Sequence, residues 1–556
     1  MRRNVLGNAL RLVYRCHAKG FVLKVCYTAL GSLLPLANLY LLKLLVDGVS
    51  QGVAAGMPFA SIVPYVVAFA AVFLVGRVVG ILSVVNSDRL SQRLIDYISD
   101  QIQCQSMTLD MAYYDNPDYH DTFHRAQQEA NYRPIRILDD FTNFVGSAIS
   151  IVGVVAMLCT ASWLTLVVMV VAIIPTFVVR LVKSRKLFAF RRENTQYYRR
   201  SHYLSMLLTD SAYAKEIRSF SLGRFLRGQF VEIRGRLVEK LIAISRRLAV
   251  IDGVSAVLET AALLSIVGFL LYRAYAGAIT VGAFVMLFEA FRRGQQNLQT
   301  MASSLAGLYD SKLFIGNLFE FMELRPAIVS PSAPVPFPER VERVEFRDIT
   351  FAYPCVDSRA ADQREGGAPT PVLRHFSMLC EMGQISWLRG ENGFGKTTLL
   401  KLLLRLYDPD EGAILINGID IRGFDLAELR RNVSAIFQDH VRFYFTAGQN
   451  IQFGDIEGPL SADRLHEAVR LSQAKQVVEK LPKGLDTPLG RIFDQGEELS
   501  MGQWQRIALA RQLYSKAPIL VFDEPTAWMD KESRERFLEN LETIKRDHVV
   551  ILIAHL

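Results

Sequence analysis

The feature that most limits what this chain can fold into is a series of long apolar stretches in its first half. They cover residues 21–46, 62–85, 145–159, 163–182 and 250–271, with a weaker stretch at residues 278–288. A helix needs about 20 apolar residues to cross a bilayer, and most of these stretches approach or exceed that length. The sequence therefore predicts six membrane-spanning helices, which would return both ends of the chain to one side of the membrane.

Positively charged residues are distributed unevenly between the loops. Basic residues from Arg2 to Lys19 precede the first stretch, and residues 183–247 carry 16 Lys and Arg against 5 acidic residues. On the other side, residues 48–57 contain no Lys or Arg, and Arg273 is the exception. Because cytoplasmic loops are enriched in Lys and Arg, we expect both ends in the cytoplasm. The same distribution accounts for the net charge of +8, so no nucleic-acid partner is expected.

The character of the sequence changes at residue 325. Five prolines within residues 325–341 cannot continue a helix and stiffen the chain into an extended linker. Beyond them, β-rich runs such as VEFRDITFAY and PILVFDE alternate with helical stretches such as TTLLKLLLRLY, which predicts an α/β domain with a mainly parallel sheet. We therefore divide the chain into a membrane domain at 1–325, a linker at 326–341 and a second domain at 342–556.

Two long polar stretches extend the predicted spans on the cytoplasmic side. Residues 88–114 and 191–247 follow the second and fourth apolar stretches without prolines or dense turn signals, so the helices are expected to run beyond the membrane. The interruptions predicted in this cytoplasmic region lie at residues 113–123 and 209–220. They are either short crosswise helices or loop tips.

A glycine-rich segment at residues 390–397, GENGFGKT, fits the pattern G-x-x-x-x-G-K-T between a strand-like run and a helical one. In this context glycines let backbone N–H groups surround a phosphate, Lys396 reaches the β- and γ-phosphates, and the Thr397 hydroxyl ligates Mg²⁺. The residues expected to hold the nucleotide are Gly390, Asn392, Gly393, Gly395, Lys396, Thr397 and Thr398. A mere glycine-rich turn is the alternative, and the flanking strand and helix signals argue against it.

Two carboxylates follow the apolar run PILVF at the carboxyl end of a predicted buried strand. Asp523 is placed to hold Mg²⁺ through water, and Glu524 is placed to orient or deprotonate the water that attacks the γ-phosphate. An acidic cap at the end of a strand is the alternative, but it leaves the phosphate loop unexplained. ATP and Mg²⁺ are therefore the expected cofactors.

The turn LSMGQ at residues 499–503, with its order and spacing relative to the phosphate loop, resembles the signature turn of ABC transporters. The resemblance covers nearly the whole chain, because the first half looks like the membrane domain of the exporter class with an amphipathic elbow helix at residues 2–19. It implies an all-α six-helix transmembrane domain followed by an α/β P-loop NTPase domain of ABC type. It also implies that the two interruptions are coupling helices, and that an edge of the second domain is missing after Leu556.

The resemblance gives roles to further residues. Tyr353 is expected to stack on adenine, with a packed strand tyrosine as the alternative. Gln438 is expected to contact Mg²⁺ and relay the state of the nucleotide, and His555 is expected to contact the γ-phosphate. The expected catalytic residues are thus Glu524, His555 and Gln438, and the expected metal ligands are Thr397, Gln438 and Asp523.

In this family two chains sandwich ATP, so that the phosphate loop of one chain faces the signature turn of the other. The residues expected to complete the partner's site are Ser500, Gly502 and Gln503. Met501 stands where the family has a glycine, and residues 527–530 read AWMD where it usually has SALD. A methionine adopts a positive φ less readily than glycine and adds bulk beside the γ-phosphate, which favours a heterodimer. The alternative is that Met501 points away and that the turn works normally.

These observations predict one half of an ATP-driven exporter in a cell membrane, a bacterial inner or plasma membrane, that moves a peptide, lipid or drug-like solute outwards. The sequence around LSMGQWQR resembles exporters of bacterial peptides such as lantibiotics. The alternative is a nucleotide-binding half that hydrolyses ATP weakly or not at all and regulates a heterodimer. Arg77, Glu259 and Glu289 lie in apolar surroundings, where they line a solute cavity, reach towards the membrane interface or pair with one another.

Overall fold

The computed structural model describes residues 5–55, 58–115, 123, 133–159, 182, 186–187, 189–190, 193–354, 370–391, 393–492 and 495–554. The chain divides into two compact units. The first, which we call the helical unit, comprises Met1–Ser106 and Thr122–Glu323, and the second, the α/β unit, comprises Met107–Asp121 and Leu324–Leu556. A short segment from the first half of the sequence therefore belongs to the α/β unit.

Long helices make up most of the helical unit. The longest has 53 residues, and at a rise of about 1.5 Å per residue it is more than twice as long as the hydrocarbon core of a bilayer is thick. The extension of helices beyond the membrane, expected from the sequence, is thus built as continuous helix. The helices of the first half are α1 (Val5–Ala55), α2 (Val63–Thr108), α3 (Met111–Tyr114), α4 (Arg133–Cys159), α5 (Thr195–Thr209), α6 (Ala214–Ser219), α7 (Gly223–Tyr275) and α8 (Val281–Glu323).

Four helices in the described part of the chain are long and apolar enough to cross a membrane. They are Gly7–Val53, Phe59–Thr108, Pro134–Cys159 and Gly223–Tyr275, and each contains one of the predicted apolar stretches. The predicted stretch at residues 163–182 lies outside the described residues, apart from residue 182. The weak stretch at residues 278–288 leads into α8, which is not among the four. The total of six membrane-spanning helices therefore remains a prediction.

The first long helix, α1, is interrupted at His17, whose φ of −155° and ψ of 81° are not helical. The Nδ1 atom of His17 accepts a hydrogen bond from the backbone N–H of Gly20 at 2.8 Å, as a capping side chain does at the start of a helix. A Cβ atom on Gly20 would lie 2.4 Å from the same nitrogen, so a side chain at this position would require the His17 ring to move. The segment before the break corresponds to the elbow helix expected at residues 2–19.

One apolar core of the helical unit joins four helices. Buried side chains from α1, α4, α7 and α8 meet there, including Leu36, Leu39, Val154, Leu158, Ile266, Leu270 and Phe291. Glycine allows the closest approach, because a Cβ atom on Gly153 would lie 2.2 Å from Leu36. Nearer the N-terminus of the unit, the buried Lys24 ammonium is compensated by the carboxylate of Asp139 at 3.1 Å.

The two interruptions predicted in the cytoplasmic stretches differ in how much of them the structure describes. The second contains α6, a short helix that follows a turn in which Asp210 accepts a hydrogen bond from the Ala212 N–H at 2.9 Å. It is therefore a short helix and not only a loop tip. The first begins with the single turn α3, and residues 116–122 lie outside the described residues.

The described part of the α/β unit contains two four-stranded sheets. One is antiparallel, in the order β2-β1-β4-β5, and the other is parallel, in the order β3-β8-β7-β6. The strands are β1 (Arg343–Phe351), β2 (Leu373–Glu381), β3 (Ile385–Arg389), β4 (Glu411–Ile416), β5 (Ile419–Asp420), β6 (Val433–Ile436), β7 (Ile519–Asp523) and β8 (Val549–Ala554). The helices are α9 (Lys396–Leu403), α10 (Leu426–Arg431), α11 (Ala447–Gln452), α12 (Ala462–Leu471), α13 (Lys475–Glu479), α14 (Met501–Tyr514) and α15 (Lys531–Ile544).

The parallel sheet is buried on both faces, which explains why its central strands read as continuous apolar runs. Ile519 and Val521 of β7 pack into one core together with residues of α9 and of the antiparallel sheet. Leu520 and Phe522 point to the other face and pack against α14 and α15. The sheet is thereby packed on both faces, and side chains at the carboxyl ends of its strands are held in fixed positions.

The antiparallel sheet corrects the prediction of a mainly parallel sheet, because half of the described strands are antiparallel. Its first strand, β1, alternates between exposed and buried residues over most of its length. This alternation is typical of a sheet with one solvated face, whereas strands buried on both faces read as unbroken apolar runs. The run VEFRDITF carries this signal, which the sequence interpretation did not use.

The proline-rich segment lies along the α/β unit and is fixed to it at several points. Val335 forms a bridge with Phe424, and its N–H donates to the carbonyl of Gly423 at 2.9 Å. The segment 107–115 is fixed to the same region, since the carboxylate of Asp110 accepts the N–H of Ala327 at 2.5 Å. The Tyr113 hydroxyl donates to the Arg325 carbonyl at 3.0 Å. The linker therefore has a defined path within this unit.

Candidate functional site

Four chain segments that carry predicted site residues leave the parallel sheet at the same edge. The phosphate loop follows β3, Gln438 follows β6, Asp523 ends β7, and β8 ends at Ala554, just before His555. The strands are in register, with Arg389 opposite Ala554 and Asp523 opposite Ile553. Segments that lie far apart in the sequence thus reach the same edge because the strands that carry them are neighbours.

Two glycines of the phosphate loop have left-handed backbone conformations. Gly393 has a φ of +88° and Gly395 a φ of +83°, a region that residues with a side chain rarely enter. Gly395 also has no room for a side chain, because a Cβ atom would lie 2.7 Å from Leu373 and 3.1 Å from Val372. The loop can therefore turn tightly against β2 only with glycine at position 395.

Lys396 and Thr397 begin helix α9 directly after this turn. Lys396 is buried, with 7% of its surface exposed. Its ammonium group donates a hydrogen bond across the loop to the carbonyl of Gly390 at 2.5 Å. The Thr397 hydroxyl donates to Oδ2 of the buried Asp523 at 3.0 Å. A hydroxyl and a carboxylate oxygen in contact are the oxygen donors that Mg²⁺ takes at nucleotide sites, so these two residues fit such an ion.

Glu524 lies one residue beyond β7 in a strained backbone conformation with a φ of +51°. Strained residues cluster at functional sites, where the surrounding structure holds them in place. Here the Glu524 N–H donates to the carbonyl of Ile553 at 3.0 Å, and the Gln505 side chain donates to the Glu524 carbonyl at 3.2 Å. The Gln438 amide donates to the Glu524 carboxylate at 2.8 Å. The carboxylate is thus directed to the edge of the sheet.

These segments enclose a pocket of about 290 Å³. The predicted site residues among its lining are Gly393, Gly395, Lys396, Thr397, Thr398, Gln438, Asp523 and Glu524. Gly390 contributes its carbonyl to Lys396, while Asn392 and His555 lie outside the described residues. The pocket combines a buried cation, backbone N–H groups at a helix N-terminus and two carboxylates. Such a set can bind a phosphate chain and a divalent cation and can orient water.

Tyr353 lies just after β1, outside the described lining of this pocket. Its hydroxyl hydrogen-bonds to that of Thr398 at 3.0 Å. Its ring packs edge-on against Phe351 at 5.1 Å, and the Lys401 ammonium lies 5.1 Å from the ring centre. The tyrosine is therefore packed at the end of the strand and also connected to the phosphate-loop helix.

Tyr407 and Asp115 were not found from the sequence. The Tyr407 hydroxyl donates to the carboxylate of Asp115, which follows α3, and the Tyr407 ring packs at 5.3 Å against that of Tyr353. Burial and then the bond to Asp115 raise the pKa of Tyr407 well above its ordinary value. A chain of contacts thus joins the segment 107–115 to Tyr353 and Thr398. Nothing in the local sequence around either residue identifies the pair, since they are 292 positions apart.

The signature turn is the start of helix α14. Ser500 caps the helix, with its hydroxyl accepting the Gln503 N–H at 3.4 Å, and the Gln503 side chain accepts the Ser500 N–H at 2.8 Å. Gly502 lies close to the next loop, since a Cβ atom would be 3.0 Å from the Trp528 carbonyl. These residues are not part of the described lining of the phosphate pocket.

Met501 corrects one expectation about the signature turn. It is the first residue of α14 and is not among the residues with a positive φ, so the argument that this position disfavours methionine through its backbone is wrong. Its side chain is 41% exposed. In the segment AWMD, Asp530 caps helix α15 by accepting the Ser533 N–H at 2.8 Å, which lowers the pKa of Asp530.

The three charged residues predicted in apolar surroundings are placed differently. Arg77 and Glu289 line one pocket of the helical unit, and Glu259 does not belong to its described lining. Glu259 instead accepts hydrogen bonds from the Gln299 amide at 3.1 and 3.2 Å. Glu289 pairs with Arg292 at 2.9 Å, so it does not depend on Arg77 for its counter-charge.

Comparison with known proteins agrees with this geometry. Residues 373–527 match the family model described as ABC transporter. The chain is 25% identical over 554 residues to the subtilin transport ATP-binding protein SpaT of Bacillus subtilis, covering 99% of this chain and 87% of that protein. It is 23% identical to the nisin transport ATP-binding protein NisT of Lactococcus lactis subsp. lactis, over 99% of this chain and 89% of that protein.

Two further comparisons concern a shorter match and the fold. The chain is 34% identical over 291 residues to the ATP-dependent lipid A-core flippase of Syntrophus aciditrophicus, which is 51% of this chain and 44% of that protein. A solved structure described as a bacterial Atm1-family ABC exporter with ATP bound superimposes with a TM-score of 0.74 at 21% identity, covering 96% of this chain and 91% of the other. The chain therefore shares the fold of this exporter over 96% of its length.

Proposed function

The chain belongs to the ABC transporters of the exporter type, and from this premise we propose that its α/β unit hydrolyses ATP on the cytoplasmic face of a bacterial inner or plasma membrane to drive a solute outwards. The observation that carries the proposal is the meeting of the phosphate loop, Asp523, Glu524 and Gln438 at one edge of the parallel sheet. ATP use and export follow from the family. The membrane orientation rests on the distribution of positive charge between the loops.

The residues of the pocket divide the chemistry among them. Gly390, Asn392, Gly393 and Gly395 let the loop surround the phosphates, and Lys396 and Thr398 hold them. Glu524 orients the attacking water and accepts its proton, which is supported by its fixed backbone and by the amide of Gln438. His555 follows β8 directly in the sequence and would contact the γ-phosphate. Tyr353 stacks on the adenine.

Mg²⁺ fits the same pocket. Thr397 and Asp523 are already in contact at 3.0 Å, and Gln438 lies close enough to bond Glu524 beside them. When bound, the ion neutralises charge that develops on the phosphate oxygens. We propose Thr397, Asp523 and Gln438 as the residues that hold it, directly or through water.

A second copy of a half-transporter would complete each site. The signature residues Ser500, Gly502 and Gln503 are not in the described lining of their own chain's pocket. The start of α14 presents a capped helix N-terminus that can face a partner's γ-phosphate. Since Met501 has helical backbone geometry, a homodimer is the simpler assembly. We propose the division into a membrane domain at 1–325, a linker at 326–341 and a nucleotide-binding domain at 342–556.

The relatives leave two classes of solute. Two that match nearly the whole chain are named for the transport of subtilin and nisin, and another is named a lipid A-core flippase. A peptide or lipid-like amphipathic solute is therefore the proposed cargo. The alternative of a regulatory half that does not hydrolyse ATP is less well supported, because Glu524 is present and is held by Gln438.

The test is ATP turnover by the purified chain in lipid, compared with Glu524→Gln. We expect Mg²⁺-dependent turnover by the native chain and loss of turnover with retained ATP binding in the variant, because the amide cannot accept a proton from water. Binding is followed with a fluorescent ATP analogue under the same conditions. Turnover that survives in Glu524→Gln would contradict the assignment of Glu524, and ATP binding without turnover in the native chain would favour the regulatory alternative.

A further inference from the structure

A pocket of about 430 Å³ lies within the helical unit, among helices α1, α2 and α8. Each helix contributes residues spaced three or four positions apart, which lie on one helical face. Helix α2 contributes Phe69, Phe73 and Arg77, and α8 contributes Val285, Glu289 and Arg293. The α1 face includes Gly31, Leu34, Asn38 and Leu42. The pocket is thus a built feature of three converging helices.

The position of this pocket within the apolar stretches means that charged side chains in it cost free energy. Its residues on α1 and α2 lie within the central parts of the apolar stretches 21–46 and 62–85. An arginine at the centre of a bilayer costs about 2.5–3.5 kcal/mol on insertion scales. Arg77 lies within the second of these stretches and Arg293 lines the same pocket from α8, so a counter-charge there would be favourable.

The described residues do not supply that counter-charge. Glu289 accepts hydrogen bonds from Arg292 at 2.9 and 3.2 Å, so its charge is already compensated from outside the lining. Among the described residues, no carboxylate forms an ion pair within 4.0 Å of Arg77 or Arg293. Arg77 instead lies over the ring of Phe73 at 5.3 Å. The pocket therefore carries excess positive charge.

Two buried polar atoms of the lining also lack a partner in the described part of the chain. They are Nε of Arg293 and Oδ1 of Asn38. An unmade hydrogen bond at a buried group costs about 1–3 kcal/mol. A half-turn of the Asn38 carboxamide would replace its oxygen with an NH₂ group, so the side chains of both residues can donate hydrogen bonds. The pocket thus offers N–H donors and positive charge beside apolar walls.

Resting on the proposed export function, we propose that this pocket binds the anionic group, a phosphate or a carboxylate, of an amphipathic solute. The anion accepts hydrogen bonds from Arg77, Arg293 and Asn38. The apolar part of the solute lies against side chains such as Leu34, Leu42 and Phe69. The selectivity of export is then for a negatively charged amphipath over a neutral or cationic one.

The test is equilibrium binding of radiolabelled dodecyl phosphate to the full chain in phosphatidylcholine vesicles without ATP. We expect Arg77→Gln and Arg293→Gln each to weaken binding about tenfold or more, because each removes charged hydrogen bonds to the anion. Arg77→Lys and Arg293→Lys should retain most of the affinity. Glu289→Gln should bind the probe equally or more tightly, since it removes a negative charge. The matched control is Arg247→Gln, an exposed arginine on α7 outside the lining.

The proposal of an anionic binding pocket can be overturned in two ways. Equal binding by the native chain and by a chain carrying both Arg→Gln substitutions would overturn the proposal, as would equally tight binding of dodecyltrimethylammonium. Basal ATP turnover of each variant is measured in parallel and shows that the chain is folded. If the native chain shows no ATP turnover, the proposed function is overturned. The binding of dodecyl phosphate then still tests the anionic pocket by itself.

The source of the anion is decided by competition. If a membrane lipid provides it, vesicles that contain phosphatidylglycerol should reduce the binding of dodecyl phosphate in the native chain and not in the double variant. If the solute arrives from solution, N-lauroylglycine should compete and phosphatidylglycerol should not. Both outcomes support an anionic pocket, and competition that is independent of the two arginines contradicts it.

Discussion

At the scale of single residues, the phosphate loop contains two left-handed glycines with different surroundings. A Cβ atom on Gly393 would meet open space, whereas one on Gly395 would lie 2.7 Å from Leu373. Gly393→Ala should cost about 1–2 kcal/mol from the backbone conformation alone. Gly395→Ala should cost a further 1–3 kcal/mol, roughly, from the steric clash. The free energy of unfolding in urea, followed by circular dichroism, measures both.

The two alanine variants serve as controls for each other, since they make the same chemical change in the same loop. ATP binding should weaken more in Gly395→Ala, because the loop must move away from β2 to accept the methyl group. Equal losses of stability in the two variants would contradict the argument that packing against Leu373 restricts position 395 to glycine.

Met501 illustrates how a backbone conformation decides the meaning of a residue. A methionine in place of glycine suggests strain only if the glycine has a positive φ, and position 501 is the first residue of a helix. The strained residue is Glu524 instead, with a φ of +51°. The strain lies at a residue of the phosphate pocket and not at the unusual residue of the signature turn.

At the scale of secondary-structure elements, α3 is connected to the phosphate-loop helix through side chains. The path runs from Asp115 to Tyr407, then to Tyr353, and from its hydroxyl to Thr398 on α9. If Tyr353 and Thr398 contact the nucleotide as proposed, a change there would be transmitted to the segment 107–115, which is also fixed to the linker through Asp110. Coupling needs such a contiguous contact path or a shared two-state element.

Removing one hydroxyl tests this path. In the native chain we expect ATP to slow the exchange of backbone amides in residues 107–115, and in Tyr407→Phe we expect this ATP-dependent protection to be reduced, because the bond to Asp115 is lost. The measurement is hydrogen exchange by mass spectrometry with and without ATP. Tyr353→Phe tests the other end of the path, since it removes the bond to Thr398 but keeps the Tyr407–Asp115 contact, and it should reduce the protection as well. Protection that is unchanged in Tyr407→Phe would contradict the path.

At the scale of the whole molecule, the separation of the signature turn from its own phosphate pocket predicts that sites are shared between two chains. Lys396→Ala should inactivate the site of its own chain. Ser500→Asp should inactivate the partner's site, because aspartate still caps the helix but repels the γ-phosphate. Each variant alone should lack ATP turnover, and reconstitution of the two together should restore it, since one complete site forms in a mixed dimer.

The control for this mixing experiment is a chain that carries both substitutions, mixed with Lys396→Ala. No complete site can form in that mixture, so it should stay inactive. Turnover measured in proteoliposomes at equal total protein distinguishes the mixtures. If the Lys396→Ala and Ser500→Asp chains together remain inactive while the native chain is active, the proposal of shared sites is wrong.

Much of the molecule could be predicted from local sequence. The length of apolar runs is enough to place helices that can cross a membrane, since no other secondary structure satisfies its backbone within a bilayer except a closed barrel. The motif GENGFGKT and the run PILVFDE contain most of the residues that line the phosphate pocket, whereas Gln438 came from the family resemblance and Val372 was not predicted. These signals are local, because helix period, strand burial and glycine-dependent turns act over a few residues.

The rest was decided by tertiary structure, because it depends on contacts between residues far apart in the chain. The sequence could not place residues 107–115 with the α/β unit or pair Tyr407 with Asp115. It likewise singled out Arg77 and Glu289 but could not join them with Arg293 and Asn38 in one pocket. The sequence alone thus determined the type of transporter and its ATP-binding motifs. Which distant side chains meet, and with what uncompensated charge, was decided only by the packing of helices and strands.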